Sequence, residues 1–130
     1  MERAGIEDIA SRVLDAAFEV HRQLGPGLLE STYEMAMCYE LSRMRIPFER
    51  QKEMPVDYKG IRLDCGYRLD LVVAEEVLVE LKAVEGIQPI HEAQLLTYLK
   101  LADKRLGLLI NFNVRLLKQG VKRLVNGLPG

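Results

Sequence analysis

The sequence predicts an α/β fold: a mixed sheet flanked by helices, in the order ααβββαβ(β). Three observations carry this. Apolar residues in the first 44 positions recur at three- and four-residue steps, the helical period. From Phe48 to Ala83 the pattern changes to short runs rich in Val, Leu and Ile, broken by turn residues. A further helical stretch then separates these runs from another apolar run at Leu106–Phe112.

The first helix is marked by Ile6, Ile9, Ala10, Val13, Leu14, Ala17, Phe18, His21 and Leu24, and Gly25-Pro26-Gly27 breaks it. A second helix is expected from about Leu28 to Met44. Its apolar face is Leu29, Tyr33, Ala36, Met37, Leu41 and Met44, and Pro47 marks its exit. Phe48–Tyr58 reads as extended, with Pro55 favouring a sheet edge. Lys59-Gly60 turns the chain, and Ile61–Val73 returns in two parts separated by Gly66. Ala74-Glu75-Glu76 turns it again into Val77–Ala83, completing a three-stranded meander. Gly86 and Pro89 introduce a third helix, Ile90 to about Leu101, and Leu106–Phe112 reads as a central strand. In the tail, Val114–Val125, Gly120 is expected to separate two short extended pieces.

The 130 residues are expected to form one domain, 1–130, long enough for a real core. At 48% hydrophobic and 28% charged, the composition is that of a globular protein and excludes a disordered chain. No apolar run approaches the ~20 residues needed to span a bilayer. The N-terminal stretch, Met1 to Asp8, is acidic and has no apolar leader core. Cys38 and Cys65 lack metal-ligand spacing, so free thiols in a reducing cytoplasm are expected. Net charge is −1, which does not advertise nucleic-acid binding. The distribution is more informative. From Lys100 onward, Lys100, Lys104, Arg105, Arg115, Lys118, Lys122 and Arg123 face a single acid, Asp103. Such a segment can offer phosphate contacts or be a solvated rim.

Asp70, Glu80 and Lys82 interrupt segments that otherwise read as buried sheet. Desolvating them is costly unless they pair or hold a metal. Side chains alternate along a strand, so Glu80 and Lys82 share one face. In the preceding strand Arg68, Asp70 and Val72 share a face. The meander sets these strands side by side and lets Asp70 approach Glu80. The spacing D-x9-E-x-K suits a divalent-cation phosphodiesterase. Two hard oxygen donors hold Mg²⁺ or Mn²⁺, and the lysine orients or helps deprotonate the attacking water. A plainer reading makes the E-x-K pair a solvated strand face, but the run around it is apolar on both faces.

Asp70 followed by Glu80-Leu-Lys82 resembles the PD-(D/E)xK nuclease superfamily, with its restriction-endonuclease-like fold. Gly27-Leu-Leu-Glu30-Ser-Thr-Tyr33 matches the signature of the GxxExxY protein family. Gln94-Leu-Leu-Thr-Tyr98 resembles the Q-x-x-x-Y element on the helix after the catalytic strand, and Gly107–Phe112 resembles the next strand. The likeness runs from about Ile9 to Val125. Leu69, not Pro, precedes Asp70, as in many branches of the superfamily.

The resemblance implies a metal-dependent nuclease acting on nucleic acid, most naturally DNA, with Mg²⁺ or Mn²⁺ as cofactor. Asp70, Glu80 and the main-chain carbonyl of Leu81 would hold the metal, joined by Glu30 directly or through water. Glu30 can equally be a first-turn acid complementing the helix dipole. Tyr33 would pack in the core beneath it. Gln94 and Tyr98, four apart on one helical face, would hydrogen-bond the metal ligands or the phosphate, or else stand as a border residue and a core residue. His91 would approach phosphate or cap its helix, and His21 is expected to be a satisfied core residue. Lys100, Lys118 and Lys122 are the leading backbone-contacting lysines. A homodimer would supply the two sites that a duplex break needs. Two alternatives remain on the same fold. One is a catalytically silent nucleic-acid-binding or regulatory module. The other is a structural dimer whose buried acids and lysine only pair with each other.

Overall fold

The computed structural model describes residues 5–127. Met1–Ala4 of the expected leaderless N-terminus, and residues 128–130 of the expected domain, lie outside the described residues. The elements are α1 (Ile6–Leu24), α2 (Glu30–Arg43), β1 (Phe48–Glu53), β2 (Val56–Tyr58), β3 (Ile61–Leu63), β4 (Arg68–Val73), β5 (Val77–Lys82), α3 (Pro89–Leu101), β6 (Leu106–Asn111) and β7 (Val121–Val125). A single 3-10 turn at Leu117–Gly120 precedes β7. Five strands form one sheet in the order β1-β4-β5-β6-β7, while β2 and β3 pair as a separate hairpin. Only β5 and β6 run parallel, joined by α3; the other neighbours are antiparallel.

Helix α1 follows the predicted stripe, with Glu7 and Asp8 in its first turn and Arg22 in its last, each complementing the dipole. Its Ile9, Ala10, Val13, Ala16, Ala17 and Val20 are buried, whereas Phe18 and Leu24 lie at the exposed margin. Helix α2 starts two residues later than the apolar pattern suggests. Leu29 becomes its extended N-cap residue and stays exposed. Both helices pack on the sheet face formed by Leu71, Val73, Val77, Val79, Leu81, Leu108 and Ile110. The opposite face, with Val72, Leu78 and Leu109, is covered by Leu95 and Leu99 of α3. Covering both faces is why β5 and β6 read as continuous apolar runs.

The meander is real but interrupted. The predicted strand 48–58 stops before Pro55, and 61–73 divides around Gly66. The outer halves become β2 and β3, which project as the hairpin; Pro55 cannot donate to a ladder that continued through it. The tail differs too: its first half forms the 3-10 turn, not an extended piece. Helix α3 starts with Pro89 and a reciprocal cap between Gln88 and His91. It comes close to the sheet because β6 carries Gly107 beneath it: a Cβ there would lie 3.1 Å from the Leu95 side chain.

Candidate active site

The site lies where β4 and β5 part. Their paired residues end at Leu71↔Val79. Beyond that point two carboxylates bond the backbone across the gap. Leu81 N–H donates to Asp70 Oδ2 (2.9 Å), and Asp70 N–H donates to Glu80 Oε1 (3.3 Å). The side-chain alternation of β4 also fails here. Leu69 packs with Met54, Val72 and Leu78 on the α3 side. Asp70 is half-buried and Glu80 is 8% exposed. Burial first, and then the charge of Asp70, push the Glu80 carboxyl up to about 8. Two acids forced together in a partly dry cleft are a poor arrangement on their own and a good one around a cation. Among the described residues, no three His, Cys, Asp or Glu side chains close into a ready-made cage. Glu30, Asp70 and Glu80 are thus not gathered into one metal-holding group; the hard oxygen donors that meet at the gap are those of Asp70 and Glu80.

Lys82 follows Glu80 on the same side of β5 and is half-buried. Among the described residues it makes no hydrogen bond or ion pair; it acts on Glu30 and Glu80 through its charge alone. Glu30 opens α2 and keeps access to solvent. Partial burial, then the charges of Asp70 and Glu34, raise its carboxyl, while Lys82 opposes them. It stands in the field of the same cleft from the other helix layer.

The loop that presents Glu30 is held by Tyr33. This ring is fully buried and stacks on Phe112 at 4.5 Å between centroids. Its hydroxyl donates to the Gly25 carbonyl (2.7 Å) and accepts from Leu28 N–H (3.1 Å). Gly27, between them, has φ +97°, which a side chain would strain. The G-x-x-E-x-x-Y spacing thus has a local cause: the Gly bends the loop, the Tyr ties it, and the Glu is carried on the first turn. Tyr33→Phe keeps the stacked ring but leaves two partly buried backbone groups without their partner. It should cost about 1–3 kcal/mol, measured as the shift in urea unfolding free energy.

On α3, Gln94 Nε2 donates to the Tyr98 hydroxyl (2.9 Å). Burial, then the charge of Glu80, raise the Tyr98 phenol, so α3 also faces the acids. A groove of about 430 Å³ beside it is lined by Tyr67, Ile90, Gln94, Thr97 and Tyr98. The Nδ1 of His91 accepts Gln88 N–H (2.9 Å) as part of the helix cap. His21 meets the Val114 carbonyl at 2.7 Å.

The basic residues do not form one surface. Lys122 pairs in register with Leu109, whose side chain lies on the α3 side. Lys118 borders a groove with Phe18 and His21 of α1. Arg123 is ion-paired with Glu7, and Lys104 donates to the Glu75 carbonyl (2.7 Å). Lys100 is exposed at the end of α3.

Three residues escaped the sequence reading. Glu34 is buried beside the cleft, where Arg50 Nε donates to one of its oxygens (2.7 Å) and Gln51 Nε2 to the other (2.5 Å). Gln51 also reaches Asp70 Oδ1 at 3.4 Å. Asn111, 1% exposed, accepts Val84 N–H (3.1 Å) and donates to the Val84 carbonyl (2.9 Å), tying the exit of β5 to that of β6. Its position at the end of an apolar strand was the one available signal.

Residues 7–124 match a family model described as the PD-(D/E)XK nuclease superfamily. Neither the curated proteins nor the solved structures give a match.

Proposed function

Because the chain belongs to the PD-(D/E)XK nuclease superfamily, we propose that it hydrolyses phosphodiester bonds of nucleic acid, with DNA as the substrate and Mg²⁺ or Mn²⁺ as the cofactor. The observation that carries this reading is the parted end of β4 and β5, where Asp70 and Glu80 face each other beside Lys82, which has no hydrogen bond or ion pair among the described residues.

Asp70, Glu80 and the Leu81 carbonyl would hold the cation, with Glu30 supporting from α2. A divalent cation there supplies a Lewis acid for the phosphate and makes the attacking water more acidic. The chain's own contribution is positional. The Leu81 amide orients Asp70. Lys82 offers an ammonium that holds the water and balances charge gathering on the phosphate. Gln94 and Tyr98, already bonded to each other on the exposed side of α3, approach the scissile group from the sheet's other layer. Lys100 and Lys122 on the α3 side supply backbone contacts, with Lys118 reaching a more distant part of the strand. His91 can contribute through the ring nitrogen that its helix cap does not use. A double-strand break would call for two such sites, which a homodimer would supply. Two free cysteines, Cys38 half-buried and Cys65 exposed, suit a reducing cytoplasm. No helix among the described residues is long and apolar enough to cross a membrane.

Calorimetric Mn²⁺ titration with a labelled-DNA cleavage assay tests the reading. Wild type should bind Mn²⁺ and cut, and Asp70→Ala should do neither. Equal Mn²⁺ binding by both proteins would sink the site. Nucleic-acid binding without cleavage at saturating Mn²⁺ would make the domain a silent binding module.

A further inference from the structure

Consecutive strand residues point to opposite faces, yet Arg50 and Gln51 of β1 grip the two oxygens of one carboxylate, that of Glu34. The backbone makes this possible by leaving the strand conformation at one residue. Gln51 has φ +51°, a region that side chains with a Cβ occupy only at a cost. The paired residues of β1 and β4 run on either side of it, through Arg50↔Leu71 and Lys52↔Leu69. The position left out is Gln51 opposite Asp70. A distortion that turns one amide toward a buried acid, at the level of the candidate metal ligand, calls for a reason beyond packing.

The hydrogen bonds supply it. The Gln51 amide has two N–H groups. One goes to Glu34 Oε1 at 2.5 Å and the other to Asp70 Oδ1 at 3.4 Å. Asp70 Oδ2 is already taken by Leu81 N–H. Each oxygen of Asp70 therefore has its own donor, and the plane of the carboxylate is set before any ligand arrives. Glu34 is itself clamped by Arg50, so the amide is anchored from a helix on the sheet's other layer.

We propose that Gln51 is a positioning residue: anchored by Glu34, its side-chain amide fixes the Asp70 carboxylate for cation binding. The proposal rests on the nuclease reading in taking Asp70 as a metal ligand. Groups that orient a ligand in this way are typically worth 10–100-fold in metal affinity.

The test uses Gln51→Gly and Gln51→Asn. Both residues accept a positive φ; glycine has no amide, and asparagine is one methylene too short to span both acids. Three quantities are measured: the thermal midpoint without metal, the Leu81 amide resonance by ¹⁵N–¹H NMR, and the Kd for Mn²⁺. In both variants the fold should survive, the Leu81 resonance should move, and the Mn²⁺ Kd should rise roughly 10–100-fold. Leu81 reads the Asp70 carboxylate in the native molecules alone, so partial unfolding does not confuse it. An unmoved Leu81 resonance with an unchanged Kd per folded molecule overturns the proposal. If wild type itself binds no Mn²⁺, the nuclease reading fails, and the Leu81 resonance alone then decides whether Gln51 orients Asp70.

Discussion

Lys82→Met should lower nuclease turnover by roughly 10²–10³-fold while leaving the fold and Mn²⁺ binding intact. This is the scale of loss when one preorganised electrostatic group is removed. The structure gives the reason for separating catalysis from stability. A buried ion pair broken on one side costs ~3–5 kcal/mol, because the remaining charge is stranded. Lys82 has no such partner among the described residues; its ammonium is half-buried and acts on Glu30 and Glu80 at a distance. Methionine keeps the aliphatic stem, so packing is largely retained. Cation affinity should hold, since the variant removes a like charge and no ligand. Thermal stability, Mn²⁺ calorimetry and turnover on one preparation check this. A large stability loss with undiminished cleavage per folded molecule would make Lys82 structural.

Glu80→Gln should abolish cleavage and flatten the pH dependence of the metal-free protein's stability. The Glu80 carboxyl is pushed up to about 8 from the 4.5 of an ordinary glutamate, by burial first and by Asp70 second. Between those values the folded protein holds a proton that the unfolded chain has released. Stability is therefore greatest below the unfolded value and falls as pH rises, until the loss is complete above about pH 8. At ~1.4 kcal/mol per unit, the loss is on the order of 5 kcal/mol. Glutamine stays neutral and keeps its shape, so the variant should be the more stable protein at pH 8–9. Denaturation midpoints from pH 5 to 9 measure this directly. Parallel declines in wild type and variant would assign the loss to other groups. Metal should reverse the trend in wild type, because binding expels the Glu80 proton and is favoured by raising the pH.

What the sequence made legible was local. The helical period of α1, the breaker after it, the Pro89 start of α3 and the two-sided apolar runs of β5 and β6 each follow from residues within one element. The nearness of Asp70 to Glu80 follows from the tight turn that sets β4 beside β5, not from the alternation of β4. Hidden from view were features set by distant partners. Glu34 has the polarity of a solvated helix face, and only its burial against β1 makes it internal. Gln51 bears no mark of a positive φ, which glycine or asparagine would have carried. Alternation within β4 predicts Leu69 and Leu71 together, but the strand has already parted from β5 at that point. The hairpin β2–β3 was absorbed into longer strands because nothing but Pro55 and Gly66 separates its halves from them.

The turned residue in β1 has an effect on the outside of the sheet as well. β1 is an edge strand, and an edge presents unpaired N–H and C=O groups that can recruit a strand from another molecule. A continuous flat edge over Phe48–Glu53 would invite that pairing. With Gln51 rotated out of the extended conformation, the outward edge is split into pieces two or three residues long, flanked by the charged Glu49, Arg50, Lys52 and Glu53. Such fragments are poor templates for intermolecular strands. The same rotation that aims an amide inward at Asp70 thereby makes this edge of the sheet a poorer template for aggregation, and a glycine placed there to relax the backbone would give up some of that protection.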